Sequence, residues 1–366
     1  MSATRPRALA GLALATTLGL SACAAPGSGN NPGGDSGDGD GAATGGNAAE
    51  CSDVNLRLSH QWPEAADEDG DFRSLVAQKF AEQIEGATDG QVTVDVYPNS
   101  TLSKATEQYD AMMAGSIDMS VFPLDYASGR VPTWSITLMP GMVQNHDQTQ
   151  AWDEGEIGEA VEADMEKNGL VLLTNVWNAG GIGIKGDPIV KPSDVKGGTT
   201  MRAAGTYVER MLEEVGAGIT SLPSSEIYTA MQTGVLDAAV TSTGSFASYN
   251  LQEQVTSYTS PTTHTFWFMY EPLVITKSSF DKLCGEQQEA VKQVGADLQE
   301  FAYTASRDDD SRVEKIFQDA GVEVVTMSDE DYAEWLTLAE KQWEHYAENV
   351  SGGQELLDLA KKLRDE

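Results

Sequence analysis

Two hydrophobic periods alternate along this chain. Runs with period two, such as "VNLRLSH" (54–60) and "QVTVDVYPNS" (91–100), predict strands, because alternate side chains of a strand share one face of a sheet. Runs with period 3.6 predict helices. In "DFRSLVAQKFAEQIEGATDG" (71–90), Leu75, Val76, Phe80 and Ile84 fall on one face, with Asp71 placed as the N-cap. "TYVERMLEEVGA" (206–217) puts Val208, Met211, Leu212 and Val215 together and closes at Gly216. "GLVLLTNVW" (169–177) is apolar almost throughout and reads as one buried strand. Residues 278–321 read as one long helical stretch, and the tail "SDEDYAEWLTLAEKQWEHYAENV" (328–350) as another helix. Strands alternating with helices predict an α/β fold of mostly parallel sheets flanked by helices.

One unit occurs twice. "YDAMMAGSIDMSV" (109–121) and "YTAMQTGVLDAAV" (228–240) share Y-x-A-M-x-x-G-x-x-D-x-x-V without a gap. Each predicts a short helix closed by a left-handed glycine (Gly115, Gly234) and then an apolar strand with an Asp (Asp118, Asp237) at its entrance. A strand running into proline precedes both, at Pro98 and Pro223. The pattern fits two similar lobes. Two unrelated α/β units built from the same inexpensive turn chemistry would read alike.

The amino terminus changes the picture. Arg5 and Arg7 precede the apolar run "ALAGLALATTLGLSA" (8–22), which is too short to span a bilayer and reads as an export signal. "LSAC" resembles the bacterial lipobox, which makes Cys23 a lipidation candidate. An ordinary signal cut nearby is the alternative. Residues 24–50 are Gly, Ser, Asn, Asp and Pro almost throughout, the composition of a flexible tether; "DSGDGDG" within them lacks the glutamate of a calcium loop. No later apolar run approaches a membrane span.

Charge and chemistry narrow the function. The chain carries 57 Asp and Glu against 23 Lys and Arg, a net charge of -34, which argues against nucleic acid and anionic lipid surfaces as partners. With Cys23 lipidated, Cys51 and Cys284 are left outside the cytoplasm as a candidate disulfide. His60, His146, His264 and His345 are scattered, with no metal-ligand spacing, no nucleophile elbow and no phosphate loop. "GIGIKG" (181–186) matches a dinucleotide pattern, but Pro188 and Pro192 forbid the helix that must follow, so the segment reads as a loop. No cofactor, metal or catalytic group is expected.

Several longer stretches resemble the substrate-binding subunits of tripartite ATP-independent periplasmic (TRAP) transporters. They are "KFAEQIEGATDGQVTVDVYPNSTLSKATEQYDAMMAGSIDMSV", "VKGGTTMRAAGTYVERMLEEVGAGITSLPSSEIYTAMQTGVLDAAV" and "PTTHTFWFMYEPLVITKSSFDKL", in the family's order. The resemblance implies a monomeric, two-lobed periplasmic-binding-protein-like receptor, its lobes joined by crossover strands and a long helix. It would close on a small carboxylate and deliver it to small four-helix and large multi-span membrane subunits. It also implies lobes of 51–177 plus 267–306 and of 178–266 plus 307–366. The family's carboxylate-binding arginine falls on Arg202. Many members carry a second arginine where this chain has the glycines of "WNAGGIGIKG", and an asparagine where this chain has Thr241 and Ser242.

Arg202 can also be weighed alone. It stands at a predicted strand end before a helix, where ligands bind in open α/β sheets, and its planar fork matches a carboxylate. A structural salt bridge to Glu209 or Glu213 is the competing reading. Around it, Trp62, Tyr126, Trp177, Asn178, Thr241, Ser242, His264, Phe266 and Trp267 are the candidate lining of a ligand cleft, though core packing is equally open to the aromatic ones. A ligand sensor on the same fold is the alternative function, and an extracellular hydrolase the least supported.

Overall fold

The computed structural model describes residues 51–364; the export signal, Cys23 and the tether lie outside the described residues. Among the described residues twelve strands follow one another: β1 (Val54–Ser59), β2 (Val92–Tyr97), β3 (Met119–Val121), β4 (Leu170–Thr174), β5 (Trp177–Ile184), β6 (Thr200–Arg202), β7 (Gly218–Ile219), β8 (Ala238–Ser242), β9 (Ser257–Ser260), β10 (Phe268–Tyr270), β11 (Leu273–Thr276) and β12 (Glu323–Thr326). They form two sheets, ordered β2-β1-β3-β11-β4 and β12-β9-β5-β8-β6-β7, with β10 paired on β5.

Each sheet has one strand running against the rest. In the first it is β11, antiparallel to β3 and β4. In the second it is β5, antiparallel to β8, β9 and β10. These two strands are the crossovers. The chain leaves β4 and enters β5 through Asn175 and Val176, and returns from β10 to β11 through Glu271 and Pro272. The crossings are bonded to each other, Glu271 N donating to Val176 O at 2.7 Å.

Two expectations change here. "GLVLLTNVW" is not one strand, because the chain changes sheets at Asn175. "GIGIKG" is not a loop: Gly181 to Ile184 continue β5, and no helix follows. Its glycines answer to crowding on both faces of the strand. A Cβ on Gly180 would lie 2.2 Å from Trp267, one on Gly181 2.5 Å from the Thr259 carbonyl, and one on Gly183 2.6 Å from Phe246.

The repeated units fold alike. The helices Gln108–Met113 and Ile227–Gln232 are followed by Gly115 and Gly234 at φ +71° and +77°. Each entrance aspartate ties its strand to the parallel neighbour. Asp118 Oδ2 accepts from the Arg57 backbone and guanidinium, and Asp237 Oδ2 accepts from Thr200 N.

The stretch 278–321 is broken into the helices Lys277–Phe280, Gly285–Asp297 and Gln299–Asp319, with Cys284 capping the second. Cys284 is joined to Cys51 by a disulfide with Cα atoms 5.6 Å apart. Helix Gln299–Asp319 packs on β5, β9 and β12 of the second sheet and on helix Phe72–Ala87. In the tail, Asp329–Asn349 lies on helix Thr206–Glu214, while Gly353–Arg364 lies on His146–Glu154 and Glu156–Lys167. One apolar core runs continuously beneath both sheets, from Trp134 and Trp177 to Trp335 and Leu357.

Candidate functional site

Arg202 closes β6, beside β8 and parallel to it, so its side chain leaves from the carboxyl ends of the second sheet's parallel strands. Tyr126 follows β3 in the first sheet. The two meet: Arg202 Nη2 donates to Tyr126 Oη at 2.9 Å. Arg202 is 1 % exposed, and it also donates from Nε to Leu222 O and from Nη1 to Val240 O. A guanidinium carries five N–H groups. Three are used here, leaving one on each terminal nitrogen without an acceptor among the described residues. The salt-bridge reading fails on the same geometry, since no carboxylate lies within bonding distance of Arg202 among the described residues. Beside it a cavity of about 300 Å³ is lined by Asp125, Tyr126, Ala203, Gly205, Glu209 and Leu222. Burial pushes the Asp125 carboxyl up to about 7, and the Glu209 charge adds to this.

A second buried arginine stands close by. Arg73, 0 % exposed, donates from Nε and Nη2 to Asp71, from Nη1 to Glu271 and Ser242, and from Nη2 to Ser245. Its five N–H groups are therefore all engaged, by the cap of its own helix, by Ser242 of β8 and the adjoining Ser245, and by Glu271 of the second crossover. Its guanidinium lies 4.2 Å over the Trp62 ring. Burial pulls the Asp71 carboxyl up, but the charge and hydrogen bonds of Arg73 outweigh it and hold the group below its ordinary value. Burial pushes Glu271 up to about 7 against the pull of Arg73. His60, stacked on Trp62 at 5.9 Å, is pushed down to about 4 chiefly by burial, so its imidazole is neutral.

Donors near this centre lack acceptors. Neither ring nitrogen of His60 is bonded, nor are Trp62 Nε1 and Asn178 Nδ2. Buried unmet donors cost about 1–3 kcal/mol each, which marks the place where a ligand or water belongs. Two further bonds join the sheets' loops beside it: Ser224 Oγ donates to Gln61 Oε1, and Tyr249 Oη to Gln61 O.

The sequence candidates divide. Tyr126 and Arg202 are brought together, and Trp62, Ser242 and Asn178 gather about Arg73. Ser242 Oγ is already committed, accepting from Arg73 and donating to Ser245. Thr241 is buried within β8 opposite Gly181. Others belong to packing. Trp177 donates its Nε1 to Asp153 and packs on Trp152 and Tyr270. Phe266 lies against Trp335 of the tail. His264 bonds Asp329 and stacks on Tyr332. Trp267 fills the space left by Gly180.

Arg73 and Glu271 escape a reading by composition, yet both leave a signal. Arg73 shares the apolar stripe of its helix with Ala77, Phe80 and Ile84, and Glu271 is the single acid inside "FWFMYEPLVIT". A charge set in an apolar stripe is a buried charge in need of a partner.

The chain is similar to known proteins over most of its length. The model of bacterial extracellular solute-binding protein family 7 matches residues 64–349. A solute-binding protein of Albidiferax ferrireducens is 39 % identical over 308 residues, 84 % of this chain and 91 % of its own. The crystal structure of a TRAP periplasmic solute-binding protein from Rhodoferax ferrireducens with bound malonate superposes with a TM-score of 0.82 at 38 % identity, covering 85 % of this chain and 98 % of its own. A TRAP solute-binding protein from a Sulfitobacter species with bound β-D-galacturonate is 25 % identical with a TM-score of 0.76, covering 86 % of this chain and all of its own.

Proposed function

This chain belongs to bacterial extracellular solute-binding protein family 7, the receptors of TRAP transport, and from that premise we propose that it captures a small organic acid by its carboxylate on Arg202. The observation that carries the reading is the donor count. Of the two buried arginines among the described residues, Arg73 has every N–H engaged by the protein, whereas Arg202 keeps one without an acceptor on each terminal nitrogen. A carboxylate takes a pair of such donors in a fork. The relatives support the same chemistry, with malonate and galacturonate bound in two of them.

Around the carboxylate, Tyr126, Asn178, His60 and Trp62 supply polar contacts from both sides of the cleft. The lobes are those of the two sheets, hinged at the paired crossovers, and they close over the ligand. An acid released from the closed site passes to the four-helix and multi-span membrane subunits. The "LSAC" tetrad and the Gly/Asp-rich tether support a form held to the outer face of the membrane through Cys23, acting as a monomer.

A thermal-shift screen over organic acids tests the reading. At a hundredfold excess over Kd a ligand that binds only the folded state adds about 2.7 kcal/mol. Failure of every mono- and dicarboxylate to raise Tm would reject it.

A further inference from the structure

Arg202 has acids for neighbours as well as hydrogen-bond partners. The cavity of about 300 Å³ beside it has Tyr126 and Leu222 in its wall, and both accept from Arg202. The charged side chains that line this cavity are both carboxylates, Asp125 and Glu209. They come from the segments that hold Arg202 itself. The turn Leu124–Ala127 brings Tyr126 to the guanidinium and Asp125 to the cavity. Helix Thr206–Glu214, which follows β6, carries Glu209 in its first turn.

The two acids differ in what accounts for them. Glu209 is half-buried, and an acid in the first turn of a helix answers to the helix dipole. Asp125 has no such account. It is 4 % exposed, it sits in a four-residue turn, and its Oδ1 has no hydrogen-bond partner. Ser135 acts on the carboxyl favourably, while Glu209 adds like charge. A carboxylate buried in this way is costly until a donor or a cation meets it.

The surrounding charge leaves no side chain to do so. Arg73 is matched by both Asp71 and Glu271, and Asp309 is paired with Arg312. Arg202 is the cation that acts on Glu209. A bare carboxylate seated on Arg202 would take up that cation and add a third negative group beside Asp125 and Glu209. A ligand that brings its own cation avoids this.

Resting on the carboxylate reading above, we propose that the ligand is an amino acid in the broad chemical sense, a carboxylate that also carries a protonated amine. Its carboxylate takes the fork of Arg202, and its ammonium is received in the adjoining cavity by Asp125, with Glu209 behind it. An ammonium offers three donors and one positive charge, which meet the unpartnered Asp125 oxygen and restore the balance. Its charge favours the ionised form of both acids, against the burial that raises their proton affinity.

The test is calorimetric titration of the protein with acids matched on one carbon skeleton. The series are L-alanine, L-lactate and propionate; 4-aminobutyrate, 4-hydroxybutyrate and butyrate; and L-proline with cyclopentanecarboxylate. The hydroxy acids keep the size and a donor but lose the charge. In at least one series the amino acid should bind about tenfold or more tighter than its amine-free counterparts. Asp125→Asn should then weaken that amino acid about tenfold and tighten the plain acid, because a negative charge has left the cavity. A residue needed only for packing would weaken both. Glu209→Gln should move the two affinities in the same directions by less, since a half-buried charge is partly screened. If Asp125→Asn does not fold, the wild-type series and Glu209→Gln decide. Amine-free acids that match their amino counterparts in every series overturn the inference and leave the carboxylate receptor intact. An amino-acid advantage that survives Asp125→Asn does the same. An absence of binding by every probe rejects the inference, and the failure of the wider acid screen would reject the receptor with it.

Discussion

Arg202 Nη2 and Tyr126 Oη are 2.9 Å apart, and that bond joins the carboxyl ends of parallel strands in two different sheets. It leaves one N–H on each terminal nitrogen of the arginine without an acceptor among the described residues, the pair proposed to hold the ligand. Arg202→Ala should therefore weaken acid binding by about 2–5 kcal/mol, the cost of stripping one side from a buried charge pair. Arg202→Lys keeps the charge, loses the fork and should fall between. Calorimetric titration of the three proteins checks this. Equal affinities would leave the carboxylate without its anchor.

Arg73 predicts the opposite phenotype. Its contacts are all internal, and its removal leaves Asp71 and Glu271 buried beside each other without their cation. Arg73→Met should cost about 3–5 kcal/mol of stability. Chemical denaturation of Arg73→Met and Arg202→Ala in parallel separates the two roles: the first loses its midpoint, the second its ligand.

The fold was legible in the sequence wherever a local rule governs. Asp71 caps its helix, Gly115 and Gly234 close theirs, and the twin aspartates mark strand entrances, because each depends on a few neighbouring residues. What a local pattern hides is which sheet a strand joins. "GLVLLTNVW" has the composition of one strand, and only the distant partners β11 and β8 divide it at Asn175. The glycines of β5 read as a loop because the side chains that require them, Trp267, Tyr258 and Phe246, lie 60 or more residues away in the chain. The site divided in the same way. The place of Arg202 at a strand end was legible, with ligand and salt bridge both open there, whereas Phe266 and Trp177 carried an aromatic signature that core packing also carries. Arg73 required its helix stripe to be read for charge as well as for apolarity.

The disulfide fastens the start of the described chain to the loop ahead of helix Gly285–Asp297, across a sequence separation of 233. The same loop is held by Gln287 Nε2 donating to Ser52 O. Such a closure restricts the unfolded chain, and its loss should cost about 2–4 kcal/mol. Paired melts with and without dithiothreitol, and of the Cys51→Ser, Cys284→Ser double variant, should show the same lowered Tm. An unchanged Tm would place this crosslink outside the stability of the lobes.

Stability should fall as pH rises from mildly acidic to neutral. Burial pushes Asp125, Asp153 and Glu271 up to about 7 and Asp309 up to about 6. In the unfolded chain these carboxyls release their protons near pH 4. Between about 4 and 7 the native state therefore holds protons that the unfolded state has lost, and in that window stability declines with pH, levelling above 7. Asp71 and Asp118 are shifted the other way, so their contributions disappear only as pH falls below the ordinary carboxylate range. Tm should accordingly be higher at pH 5.5 than at pH 8. Asp153 gives a single-site check, since its carboxylate accepts from Trp177 Nε1 at 3.0 Å and Tyr303 Oη at 2.6 Å. Asp153→Asn keeps an acceptor for Trp177, and the Tyr303 hydroxyl can turn to accept from the amide, so the packing survives while the titration is lost. The variant should melt with a shallower pH dependence than wild type and should gain on it most at pH 8. Parallel pH profiles for the two proteins would show that Asp153 keeps the same proton affinity folded and unfolded.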